Sequence, residues 1–150
     1  AVPEEHLREK VVRGLNSDEV AEPNCFAALA TVAAFREGGE WLDALREYLA
    51  ANKRAAFSAI RDLAPGVHAV PQEATYLLWL GCSELTGSTD GLRDFIRRET
   101  GLYLSAGSPY RGNGAHFLRM NVACQRDVLA RGLSLFSDGV QKFRAAGKKI

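Results

Sequence analysis

Cysteine is scarce in this chain. Only Cys25, Cys82 and Cys124 occur among 150 residues, far apart and with no Cys-x-x-Cys pair. An odd, sparse set argues against a disulfide framework and for free thiols in a reducing compartment, so the expectation is a cytoplasmic protein. Buried, inert thiols explain the three better than a catalytic cysteine does. Histidine is equally thin: His6, His68 and His116 are isolated, and none stands at metal-ligand spacing with another His or Cys. No apolar run approaches the roughly 20 residues of a membrane helix, and the first residues show no signal-peptide pattern. An excess of one charge is missing too. The 19 basic and 18 acidic residues leave a net charge of +1, which implies no polyanionic partner and gives nucleic-acid binding no support. A G-x-x-x-x-G-K-S/T phosphate loop, a G-x-S-x-G elbow and a His-Glu-x-x-His helix are all absent from the sequence.

What is present is the composition of an ordinary soluble globular protein, 47% hydrophobic and 25% charged, long enough for one core but not comfortably for two. Residues 4 to about 14 read as a short helix, with Pro3 near its start, glutamates in its first turn and Gly14 near its stop. After a polar loop, Asn24 is expected to cap a second helix, Cys25–Arg36, that is nearly all Ala, Val, Leu and Phe. A helix apolar on so many sides packs against more than one neighbour, which points to a piece of a larger body or to dimerisation. Gly38-Gly39 then opens the longest periodic segment, Glu40–Leu63, which Pro65-Gly66 ends. The carboxylate pairs Glu4/Glu5 and Asp18/Glu19 fall at helix starts, where the helix dipole accounts for them. The basic cluster of Lys142, Arg144, Lys148 and Lys149 reads as a solvated helix end by the same reasoning.

From residue 64 on, the period shifts towards alternation. Strands are expected at Gly66–Val70, at Ala74–Leu80 (central, apolar on both faces) and at Leu102–Ser105. Ser88 or Thr89 is expected to cap a helix over Asp90–Glu99, and a last helix runs from about Gln125 to Ala145. The fold class this order implies is α+β, a small, mostly antiparallel sheet packed on helices. Between the third strand and the last helix, a flexible loop with Gly107, Tyr110, Gly112 and Gly114 leads into Phe117-Leu-Arg-Met-Asn-Val. Strand alternation puts Phe117, Arg119 and Asn121 on one face and His116, Leu118 and Met120 on the other. A guanidinium cannot shed its charge and is costly to bury unpaired. Arg119 therefore faces a fixed acid or a cavity that receives an anion, or else sits on an edge strand with its head in water. With Asn121 beside it this is half a site: it can hold an anion but offers no nucleophile and no base.

Pro23-Asn24, the stretch Arg36-Glu-Gly-Gly-Glu-Trp-Leu-Asp-Ala-Leu-Arg-Glu-Tyr-Leu, Thr75-Tyr-Leu-Leu-Trp-Leu and Phe117-Leu-Arg-Met-Asn-Val-Ala-Cys together resemble the C-terminal part of the MalY/PatB-type cystathionine β-lyases. These are pyridoxal-phosphate enzymes of the class I/II aminotransferase family, fold type I. The resemblance covers nearly the whole chain. It implies that residues 1–38 complete a large cofactor domain, that 39–64 form the inter-domain helix, and that 65–150 are the small C-terminal α+β domain. It also implies an amino-acid substrate, a homodimer in the full-length enzyme, and a carboxylate-clamping arginine at Arg119, with Asn121 its companion in the substrate site. The family commonly has Asp and Pro where this chain has Gly81 and Ala106. The lysine that carries the cofactor lies in a Ser-x-x-Lys context, and none of Lys10, Lys53, Lys142, Lys148 or Lys149 has Ser or Thr three residues before it. No cofactor-binding residue, metal ligand or catalytic residue is therefore assigned in this segment. The expectation is a fragment of a C–S lyase or aminotransferase that is inactive alone. The competing expectation is a stand-alone, non-catalytic module that binds a carboxylate or dimerises through the 25–36 helix.

Overall fold

A computed structural model of the chain describes residues 3–17 and 23–147. Asp18, Glu19, Lys148 and Lys149 lie outside these residues. The chain falls into two compact units, Ala1–Ala44 and Leu45–Ile150, with the division inside the long third helix.

The first unit holds helices α1 (Glu5–Ser17) and α2 (Ala27–Glu37) and the start of α3 (Gly39–Leu63). Helix α1 passes through Gly14 instead of stopping there, since a helical glycine costs only about 1 kcal/mol, and Ser17 ends it by donating its hydroxyl to the Arg13 carbonyl. Asn24 does not cap α2. Its Oδ1 accepts the Phe26 N–H in a turn that precedes the helix, and the N-cap position falls on Phe26. Neither α1 nor α2 buries a single residue. Leu7, Val11 and Leu15 on α1 and Leu29, Val32 and Phe35 on α2 stay open to solvent, Phe35 at 88%.

The second unit contains the core. Four antiparallel strands lie in the order β1 (His68–Ala69), β2 (Leu77–Gly81), β4 (Phe117–Asn121), β3 (Ser105–Ala106). Period-2 alternation sorts the two interior strands. Leu78, Leu80, Leu118 and Met120 are buried on one face. Against them pack Leu92, Phe95 and Ile96 of α4 (Thr89–Thr100), Leu129, Leu133, Phe136, Val140 and Phe143 of α5 (Arg126–Ala145), and Ala56 and Ile60 of α3. Gly139 lets α5 approach α4, because a methyl there would meet the Ile96 side chain at 3.0 Å. Gly101, in the left-handed conformation at φ 76°, closes α4.

The strands are shorter than alternation suggested. Gly66, at φ 85°, still belongs to the turn after α3, and Pro71 has no N–H with which to prolong β1. Strand β2 begins only at Leu77, because Thr75 sits at φ 63° and its hydroxyl accepts the Leu77 N–H that a ladder would need. Strand β3 starts three residues late, at Ser105. Ser88 occupies the N-cap of α4 without making a cap bond, and the neighbouring Thr89 hydroxyl instead donates to the Phe117 carbonyl at 2.7 Å, tying the helix to β4.

Candidate functional site

The sheet face away from α4 and α5 carries the polar chemistry. Register puts Trp79 and Ser105 on either side of Arg119, across β2 and β3 respectively. Strand β4 is thus an interior strand, and Arg119 rises half-buried from the middle of the sheet rather than from an edge. No carboxylate pairs with it among the described residues. Its Nη1 donates to the Tyr110 hydroxyl, its Nη2 makes a long 3.4 Å contact to Ser105 Oγ, and the guanidinium lies 5.3 Å from the Tyr110 ring centroid. The tyrosine ring meets Trp79 edge-on, with centroids 5.1 Å apart, and Trp79 meets Phe117 in the same way at 6.0 Å.

The loop that carries Tyr110, expected to be flexible, is a built clip. Two 3-10 turns, Ser108–Tyr110 and Gly114–His116, fold back on each other. Gly107 and Gly114 pass so closely that a Cβ on either would collide with the other's carbonyl oxygen. Ser108 donates its hydroxyl to Asp90 at 3.0 Å, anchoring the clip to the first turn of α4. Between the turns Arg111 adopts φ 63° and ψ −169°, a region that non-glycine residues rarely occupy and that costs about 1–3 kcal/mol.

Arg119, Tyr110 and Trp79 line an open groove of about 600 Å³ together with Gln72, Glu73, Ala74, Thr75 and Leu77. A second pocket of about 310 Å³, lined by Val70, Trp79, Tyr110, Arg111, Asn113, Gly114 and Phe117, shares Trp79 and Tyr110 with it. Asn121 does not line the Arg119 groove. It sits exposed at the end of β4, where its Oδ1 accepts the Ala123 N–H at 2.8 Å and turns the chain. Trp79, Ser105 and Thr75 are the site residues that the sequence left unmarked; only strand register, which pattern alone does not supply, brings Trp79 and Ser105 to Arg119.

Elsewhere most polar groups have partners, the buried Asn52 Oδ1 and His116 Nδ1 being exceptions among the described residues. A groove of about 610 Å³ separates α3 from α5, but there Ser137 donates to the Leu63 carbonyl and Asp138 pairs with Lys142. Beneath it the buried Asn52 donates from Nδ2 to the Val122 and Cys124 carbonyls, both at 2.9 Å, securing the chain just after β4. Burial pushes the Cys82 thiol up to about 12, so it is inert at neutral pH; Cys25 is exposed. At Gly81 the exposed His68 imidazole lies where a Cβ would project, so a side chain there would have to displace that ring. Ala106 is buried on β3. No helix among the described residues is long and apolar enough to cross a membrane, and none of their His, Cys, Asp and Glu side chains cluster to hold a metal.

No protein-family model matches the chain. It is 29% identical over 145 residues to cystathionine β-lyase PatB of Bacillus subtilis (strain 168), covering 97% of this chain and 36% of PatB. It is 28% identical over 127 residues to protein MalY of Escherichia coli (strain K12), covering 85% of this chain and 33% of MalY. In three dimensions it superposes on a PLP-bound protein of Clostridium difficile 630, described as an aminotransferase, with a TM-score of 0.87 at 28% identity, over 93% of this chain and 36% of the other. The chain thus spans about a third of the length of the curated relatives it matches. On sequence and fold together, it is a homologue of the MalY/PatB-type cystathionine β-lyases and has the fold of the small C-terminal domain of the fold type I aminotransferases.

Proposed function

We propose that these residues form the substrate-carboxylate half of a pyridoxal-phosphate-dependent C–S lyase or aminotransferase, with Arg119 as the group that takes the α-carboxylate of an amino acid. One observation carries the reading. Arg119 is half-buried on an interior strand, lines a groove, and has no acidic partner among the described residues. A guanidinium held this way is free to take an anion, and its planar fork suits a carboxylate through two parallel hydrogen bonds. The likeness to PatB and MalY supports the same assignment. Asn121 contributes by turning the chain at the end of β4, which fixes the strand that presents Arg119.

The described residues do not by themselves fit pyridoxal phosphate. No lysine lines the groove, Lys53 donates to the Gln72 carbonyl at 2.9 Å, and Lys142 is engaged by Asp138 at 2.9 Å. No cofactor step is therefore assigned to this chain. Its own work is to bind and orient: fixing the carboxylate holds the amino acid's Cα at a constant angle to whatever acts on it. The remaining machinery belongs to protein beyond this segment, in a homodimeric enzyme of about three times this length. The open apolar faces of α1 and α2 support further protein covering them.

Mixing the chain with pyridoxal phosphate and scanning its absorption tests the division of labour. The expected result is no stable stoichiometric band near the visible edge; such a band would overturn it. In a complete enzyme carrying these residues, Arg119→Lys is expected to raise KM for amino-acid substrates at least tenfold, since a point charge replaces a two-pronged donor. An unchanged KM would remove the carboxylate role.

A further inference from the structure

Arg119 has only donors, so in its contact with Tyr110 the phenol oxygen must be the acceptor. The phenolic proton is then left without a partner among the described residues. A hydroxyl that accepts from a cation keeps its own O–H for another acceptor, and Tyr110 and Arg119 line the same groove, where an anion held by the guanidinium supplies one. We infer that Tyr110 is a second ligand of the carboxylate. One carboxylate oxygen takes N–H donors of Arg119, and the other accepts the Tyr110 O–H. The inference rests on the reading of Arg119 as the carboxylate site, and gives a role as neutral donor to Tyr110, which the sequence placed only in the loop beside it.

Everything around Tyr110 holds the hydroxyl in place. Its ring stands edge-on to Trp79 at 5.1 Å, and the guanidinium covers its face at 5.3 Å. Its backbone ends a 3-10 turn that begins with Ser108 and Pro109. The next residue, Arg111, takes a conformation rare outside glycine, and the turn is clamped by the Gly107–Gly114 crossing and by the Ser108–Asp90 bond. A solvent-facing tyrosine, 53% exposed, needs none of this for stability. Strain collected around one side chain at a groove's rim is expected where that side chain must be pre-aimed. Ser105, at 3.4 Å from Nη2, limits the guanidinium's rotation from the other side. The planar carboxylate has two oxygens to share between the donors, whereas a spherical halide occupies one position. Tyr110 therefore confers preference for carboxylates over halides as well as affinity.

The test titrates acetate, and separately chloride at matched ionic strength, into the ¹⁵N-labelled full chain, following the Arg119 Nε–H and Trp79 indole N–H resonances. Tyr110→Phe keeps the ring against Trp79 and deletes only the donor. It is expected to weaken acetate about tenfold, as loss of a charge-assisted hydrogen bond does, while chloride stays within about twofold. An unmoved Trp79 resonance in the free variant shows the clip intact. Acetate binding equal to wild type, or an equal loss for both anions, would overturn the inference, the second by leaving Tyr110 a structural role alone. Arg119→Gln separates the two claims: if it still binds acetate, the carboxylate site itself is misplaced. Should Tyr110→Phe not fold, replacing tyrosine by the more acidic 3-fluorotyrosine keeps the shape and strengthens the donor. It is expected to tighten acetate and not chloride, and a lack of change would again refute the role.

Discussion

Replacing Asn52 with alanine tests whether the strand bearing Arg119 is secured from the helix side. Asn52 is 1% exposed, and its amide nitrogen serves two carbonyls 70 and 72 residues away, Val122 and Cys124, each at 2.9 Å. Alanine leaves both acceptors without their donor. Val122 is fully buried, so its carbonyl loses about 1–3 kcal/mol; Cys124 is half-buried, and water recovers part of the loss, leaving about 0.5–1 kcal/mol. Against this stands a relief, since Asn52 Oδ1 is itself buried without a partner, and its removal returns about 1 kcal/mol. The net expectation is a loss of about 2 kcal/mol. With a urea slope of about 2 kcal/mol/M, the unfolding midpoint falls by about 1 M. Far-UV circular dichroism reads the transition. Asn52→Asp is a sharper control: it keeps the shape but turns an anion towards two carbonyls, so at neutral pH it is expected to cost more than alanine and to recover in acid. A shift below about 0.25 M for the alanine variant, or an aspartate variant as stable as wild type at pH 7, would refute the reasoning.

Other predictions follow from the same geometry. Gly107→Ala and Gly114→Ala each drive a methyl into opposing backbone and are expected to cost about 2–3 kcal/mol and to weaken anion binding at Arg119, whereas Gly112→Ala, strained at φ 55° but facing open space, costs about 1 kcal/mol; thermal melts rank the three. Gly81→Asp displaces only the His68 ring, the mobile end of an exposed side chain, and is expected to destabilise by less than 1 kcal/mol in the same melts. Cys82 gives a pH dependence. Its folded thiol titrates at about 12 against an ordinary 9.0, so above pH 9 the unfolded chain releases a proton that the folded one retains, and stability falls as pH rises. The slope is about 1.4 kcal/mol per pH unit from this group, and urea midpoints of wild type and Cys82→Ala are expected to converge between pH 9 and 11.

Much of the second unit was legible in residue spacing. Leu118 and Met120 alternate with Arg119 and Asn121 cleanly enough to define the covered face of β4, whereas Leu77-Leu78-Trp79-Leu80 is apolar on both faces and marks β2 only as central; Pro65-Gly66 and Gly101 stop helices where they stand. The misreadings share a cause, namely side chains that redirect backbone donors. Thr75 takes the N–H that would have lengthened β2, Asn24 closes a turn instead of capping a helix, and Thr89 reaches across to Phe117. Arg119 could be suspected from its apolar neighbours, because a charge there demands a reason. Its partners could not. Trp79 and Ser105 meet it only through register, and Tyr110 only because two glycines 7 residues apart, Gly107 and Gly114, let the clip close.

The account turns on whether Arg119 receives a carboxylate. Titrating L-alanine and, in parallel, L-alaninamide into the full chain while recording Trp79 emission, with Trp41→Phe to silence the other tryptophan, measures this directly. The carboxylate is expected to change the emission saturably in wild type and not in Arg119→Gln, and the amide in neither. A response to the amide as large as to the acid, or one that survives in Arg119→Gln, would contradict it.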